Sequence, residues 1–220
     1  MFYIILIEGA GKMAKILNGI LGKASGKVGG VVAGTWKDKN YVRTHVIPAN
    51  PNTGGQQTQR QKFSRAVAFA KQFLGTVLNP FVDPFQKSMS GFNYFIKHNV
   101  DHFTSTPTYS AVQLVFGKLF IHATTSTVAS VADSKVTVTF PTTNGPNGLA
   151  TDVAYIAVYD RTNKIGYISD GTAKRGDGTV SVNMPVAAFG NYDTYMFFAQ
   201  YVDGKLMLVS NTAYSDGVGA

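Results

Sequence analysis

Tyr192-Asp193-Thr194-Tyr195-Met196-Phe197-Phe198-Ala199-Gln200-Tyr201-Val202-Asp203-Gly204-Lys205-Leu206-Met207-Leu208-Val209-Ser210 is the stretch on which the fold turns. Tyr192–Val202 is apolar on both faces, as a central strand must be when each face is covered. Asp203-Gly204, before the apolar run Leu206–Ser210, is a two-residue hairpin turn, because both positions of such a turn favour left-handed backbone. Working outward, Val153–Tyr159 has the same two-sided apolar character. Lys135–Phe140 alternates Val136, Val138 and Phe140 with Lys135, Thr137 and Thr139, and Thr179–Met184 alternates in the same way, the mark of half-buried antiparallel strands. With Ser110–Ile121 and Lys164–Ser169 added, about seven strands fall within roughly 115 residues, the size of an immunoglobulin-like β-sandwich.

Before Pro107 the period is that of helices. Phe63, Val67, Ala70, Leu74, Val77 and Phe81 recur every three or four residues, predicting a helix from about Gln56 that Pro80 and Pro84 end or kink. Phe85, Met89, Phe92, Ile96 and Phe103 predict a second helix over 85–103. Their stripes are expected to pack on each other or on a neighbouring subunit. Upstream, Leu17–Gly34 is rich in glycine and reads as an arm, and Val31–Trp36 and Asn40–Arg43 read as a hairpin about Lys37-Asp38-Lys39. Thr53 or Asn52 is placed to cap the first helix. The expected class is α+β: an N-terminal extended arm and β-hairpin plus two helices, then an antiparallel immunoglobulin-like β-sandwich. The expected divisions are residues 1–12, 13–105 and 106–220. The first is read as a non-native extension, because Glu8-Gly9-Ala10-Gly11-Lys12 fits a purine-rich ribosome-binding stretch just before Met13.

The 220 residues are 45% hydrophobic and 15% charged, which excludes a disordered chain. The absence of cysteine excludes disulfides, thiolate metal sites and cysteine nucleophiles. The net charge of +8 is uneven: residues 1–105 carry 13 basic and 4 acidic side chains, and residues 106–220 carry 7 and 8. A basic half beside a neutral one points to an acidic partner for the first half. Phe2–Ile7 is too short to span a bilayer, so no membrane partner is expected, and without a basic n-region no Sec-type export is expected either.

Motifs for chemistry are weak. Gly22–Val28 lacks the leading glycine and the Ser or Thr of a phosphate loop, since Leu21 and Val28 stand at those positions. His98 and His102 are one helical turn apart, but Asn99 stands where a zincin needs glutamate, and His45 and His122 are isolated. Neither an enzyme nor a cofactor is expected. The residues with a partner-binding pattern are basic and aromatic: Lys23, Lys27, Trp36, Tyr41, Arg43, Arg60 and Arg65.

Gly29–Trp36, Tyr41-Val42-Arg43, Asn50-Pro51-Asn52-Thr53, Gln56 or Gln57, and Arg60 with Phe63 resemble the N-terminal block of an uncharacterised family found in bacterial and bacteriophage genomes. Tyr195, Phe197, Tyr201, Asp203-Gly204, Ser210 and Tyr214 resemble its C-terminal ending. The resemblance implies a non-enzymatic structural protein of a tailed bacteriophage virion, made in the host cytoplasm. Its expected partners are other virion proteins and copies of itself, docked through the basic arm and helices. Two alternatives stand beside it: sequence-independent DNA contact, and a carbohydrate-binding surface module with Tyr155 or Tyr167 on an exposed face.

Overall fold

The computed structural model describes residues 13–16, 25–37, 39–47, 49, 52–124, 126–130, 133–185 and 191–217. The chain divides into two compact units, Met1–Asn52 and Thr53–Ala220. Residues 1–12, read above as a non-native extension, lie outside the described residues, as does Lys23.

The first unit is a four-stranded antiparallel sheet. Its strands are β1 (Met13–Ile16), β2 (Gly26–Val28), β3 (Val31–Trp36) and β4 (Lys39–Thr44), in the spatial order β1-β4-β3-β2. The expected hairpin is therefore the centre of a wider sheet.

The second unit opens with α1 (Gly54–Gln72), whose first turn is capped by Thr53 as expected: its hydroxyl accepts from the Gln56 amide at 3.4 Å. Pro80 does not end the helical path. Leu74–Val82 widens into a π-helical segment, with the Leu78 amide donating to the Phe73 carbonyl at 2.9 Å. After the 3₁₀ turn Asp83–Phe85, α2 (Gly91–Asn99) starts later than the spacing predicted, capped by Ser90 and by Asp83, which accepts from the Gly91 amide at 2.6 Å.

Eight strands follow: β5 (Ser126–Ser130), β6 (Lys135–Thr139), β7 (Val153–Asp160), β8 (Ile165–Ile168), β9 (Thr179–Asn183), β10 (Tyr192–Val202), β11 (Lys205–Val209) and β12 (Ala213–Gly217). They form two antiparallel sheets, β5-β6-β9 and β11-β10-β7-β8, with β12 continuing along β10 beyond β11. Asp203 and Gly204, at φ of 49° and 73°, make the expected turn.

The larger sheet is the middle of three layers, and strand periodicity explains how. Along β7, Ala154, Ile156 and Val158 face the smaller sheet, while Tyr155, Ala157 and Tyr159 face the helices. Along β10, Met196 and Phe198 face the smaller sheet, and Tyr195 and Phe197 the helices. One core joins these to Val136, Val138, Val180 and Val182; the other joins them to Phe69, Phe73, Val77, Phe81, Phe95 and Phe103.

This arrangement corrects two expectations. The helices pack on the chain's own central sheet, so no domain boundary falls between residues 105 and 106; the division lies after Asn52. The buried helical stripe is also wider than expected and lacks its first member. Ala70, Val77 and Phe81 are buried and Val67 and Leu74 pack against the same core, but Phe63 is exposed, and Ala66, Phe69 and Phe73 are buried as well. Alanines at 66 and 70 bring the backbone close to the sheet, and the phenylalanines beside them fill the space.

Buried polar groups are used to join segments. Asn99 donates to the Phe95 and Gln113 carbonyls, each at 2.9 Å, and accepts from the Gln113 amide at 2.8 Å. The Thr212 hydroxyl accepts from the Leu114 and Val115 amides at 2.9 Å. Each supplies hydrogen bonds that an irregular buried segment otherwise lacks.

Candidate interaction surface

The N-terminal sheet owes its shape to two tight turns. Val28 pairs with Val31 across Gly29-Gly30, with Gly29 at φ 57°, and Trp36 pairs with Lys39, with Lys37 at φ 47°. Such turns fix the register, and the register decides which side chains share a face. Lys27 lies opposite Val32, Val32 opposite Arg43, and Gly34 opposite Tyr41. With the period of two, Lys27, Val32, Trp36, Tyr41 and Arg43 occupy one face. Val28, Val31, Ala33, Thr35, Asn40, Val42 and Thr44 occupy the other, where the Thr35 hydroxyl donates to Asn40 at 2.8 Å.

The sheet thus has a basic, aromatic face and an uncharged, largely apolar one. No described side chain in residues 25–47 is buried. Trp36 is 66% exposed and Val28 81%. Tyr41 covers the bare backbone of Gly34, where an added Cβ would stand 2.8 Å from its hydroxyl oxygen, and the Lys37 ammonium lies 4.8 Å from the Trp36 ring centroid.

Of the seven residues singled out from sequence, four (Lys27, Trp36, Tyr41 and Arg43) are gathered on this face. Lys23 is not among the described residues. Arg60 and Arg65 belong to the other unit, on α1. Arg65 has a structural task there, donating to the Thr104 carbonyl at 2.7 Å and so tying α1 to the segment after α2.

The other candidate sites resolve into structure. Gly26-Lys27-Val28 is a strand rather than a loop. His98 packs its ring between Tyr94 and Phe116, with centroids 4.3 and 5.2 Å away. Among the described residues, no group of three or more acidic or histidine side chains is placed to hold a metal ion. Among them also, no helix is long and apolar enough to cross a membrane. Tyr155 is not on an open sandwich face: it stacks on Phe197 at 5.3 Å and meets Phe81 at 4.8 Å beneath the helical layer. Tyr167 is half-buried against the other core.

Two features escaped the sequence reading. A polar cleft of about 450 Å³ runs between β8 and β9, with Lys135 and Asp170 as its charged members. The Thr172 hydroxyl, with help from its amide, holds the Asp170 carboxyl below the usual carboxylate range. The second feature is Arg175-Gly176-Asp177, a corner in which Arg175 is fully buried. Arg175 pairs with buried Asp152 at 3.2 Å, donates to the Phe120 carbonyl at 2.7 Å, and places its guanidinium 3.7 Å from the Phe198 ring centroid. Neither could be read from sequence, because each joins residues distant along the chain.

Fold and surface together define a two-unit α+β protein, one unit a two-faced four-stranded sheet and the other a three-layered body. The chain belongs to a family of unknown function (DUF6266), whose model matches residues 23–216. The expected kinship with an uncharacterised family is thereby met, and membership brings no activity with it. No curated protein and no solved structure matches the chain.

Proposed function

We propose that this protein is a non-enzymatic structural component of a tailed bacteriophage virion, associated with capsid, neck or tail, that assembles through its N-terminal sheet. One observation carries the reading: four paired strands expose Val28 and Val31 on the uncharged face and bury no described side chain. A sheet gains stability by burying one face against another layer. This one finds that layer on neighbouring chains, copies of itself or other virion proteins, with its uncharged face inward. The helices, first considered as part of the dock, are committed to the chain's own core, so docking falls to the sheet alone.

The body is read as an immunoglobulin-like sandwich. In chain order, β5, β6 and β9 take the places of strands A, B and E, and β7, β8, β10 and β11 those of C, C′, F and G. The parallel bridge between Leu119 and Ser210 supports this, setting the lead-in to strand A beside strand G. A non-enzymatic role agrees with the employment of buried polar groups: Asp152, Asp193, Ser210 and Thr212 all hold structural hydrogen bonds.

Quantitative mass spectrometry of gradient-purified particles tests the reading. The expected result is many copies of the chain per particle. Its absence from particles, with recovery only in the host soluble fraction, overturns the proposal.

A further inference from the structure

We infer that the basic, aromatic face of the N-terminal sheet binds single-stranded nucleic acid without regard to sequence. The inference uses the face opposite to the one proposed to dock, and it stands whether or not the protein is a virion component.

Charge on the sheet is sorted by face. Lys27 and Arg43 lie in one cross-strand row with Val32 between them, two strand spacings or about 10 Å apart. A single phosphate backbone crossing the strands meets both. The opposite face has no charged side chain among its described residues. Residues 1–52 carry seven Lys or Arg and two acidic side chains, most of the chain's net +8. A merely solvated basic surface needs no such segregation.

The aromatic residues select the kind of polyanion. Trp36 and Tyr41 stand on the same face as Lys27 and Arg43, and Trp36 is 66% exposed. Rings on a cationic sheet offer stacking platforms to bases, and every base has a π-face, so stacking is tolerant of sequence. A duplex keeps its bases stacked on each other, so it offers no base face to Trp36 or Tyr41. An acidic protein surface would pair with Lys27 and Arg43 and leave the indole unused. Only an unstacked strand employs all four side chains.

The chain's single tryptophan is Trp36, so its emission reports directly on this face. The experiment titrates the full chain with fluorescein-labelled dT20, following anisotropy and tryptophan emission from 50 to 300 mM salt. The expected result is binding accompanied by quenching, weakening with salt at a log–log slope of about −0.7 per phosphate engaged. Lys27→Glu with Arg43→Glu should weaken binding at least tenfold. Lys205→Glu, at the β10–β11 turn of the other unit, should not change it. Trp36→Ala should weaken it about fivefold or more with little change in slope. Should that variant lose the sheet, as circular dichroism would reveal, quenching in the wild type still decides. Three results each overturn the inference: no binding at 50 mM salt, binding without quenching, or equally tight binding of a 20-base-pair duplex. Equal competition by poly-glutamate also overturns it, assigning the face to an acidic protein.

Discussion

Phe73, the residue that closes α1, lies against Gly166 of β8: a Cβ on Gly166 would stand 2.7 Å from the Phe73 ring and 3.1 Å from Gln72 Cβ. The helical layer therefore sits directly on strand backbone. Phe73 is fully buried, with Phe69 at 5.3 Å and Tyr159 at 6.4 Å between ring centroids, so it has no room to yield. Gly166→Val should destabilise the body by about 1–3 kcal/mol, seen as a Tm lower by several degrees in a thermal melt. An unchanged Tm would mean that the helices do not rest on this sheet.

The Asp152–Arg175 pair is fully buried, and burial pulls the guanidinium towards its neutral form while Asp152 opposes that. Asp152→Ala strands the cation in the core and should cost about 3–5 kcal/mol in urea unfolding. Asp152→Leu combined with Arg175→Met should recover much of that loss, since it leaves no charge behind. Equal losses in the single and double variants would contradict the assignment.

Tyr109, Tyr155, Tyr159 and Tyr195 all have their phenol ionisation pushed upward, in each case chiefly by burial. In the unfolded chain they release protons near pH 10, and in the folded chain they keep them. The unfolded state then binds fewer protons, so the stability these groups provide is complete below pH 10 and drains away as pH rises above it. Absorbance at 295 nm should show exposed tyrosines titrating smoothly near pH 10 and the buried group ionising later, together with unfolding. A single smooth transition for all eleven tyrosines of the chain would contradict this.

Ser110–Ile121, expected as a strand, is a 3₁₀ turn and irregular chain that pairs with the sheet at a Leu119–Ser210 bridge. The other expected strands were legible because alternation and two-sided apolarity are local signals. Val136 and Val138, Val180 and Val182, and Tyr192–Ala199 of β10 faced as their pattern required, while Tyr201 and Val202 are exposed. What covered the second face of β7 and β10 was not legible, because the cover comes from helices about 50 to 130 residues earlier, and periodicity names a buried stripe without naming its mate. Of the helix stripe, Val67, Ala70, Leu74, Val77 and Phe81 were legible, and Phe63 was misplaced by the same ambiguity. Phe63 and Phe69 both fit a 3.6-residue pattern, and only the small Ala66 and Ala70 facing the sheet separate them. The interaction residues were legible as types in a charged, aromatic stretch. Their gathering on one face depended on register, which the pairing of Trp36 with Lys39 sets and composition does not.

The central claim is that the N-terminal sheet has no core of its own and finds one only on a partner. Hydrogen exchange on the free, full-length monomer tests it most directly. Amides of β3 and β4 should exchange orders of magnitude faster than those of β7 and β10, which lie between two cores. Protection of β3 and β4 matching that of β10 in the monomer would contradict the account.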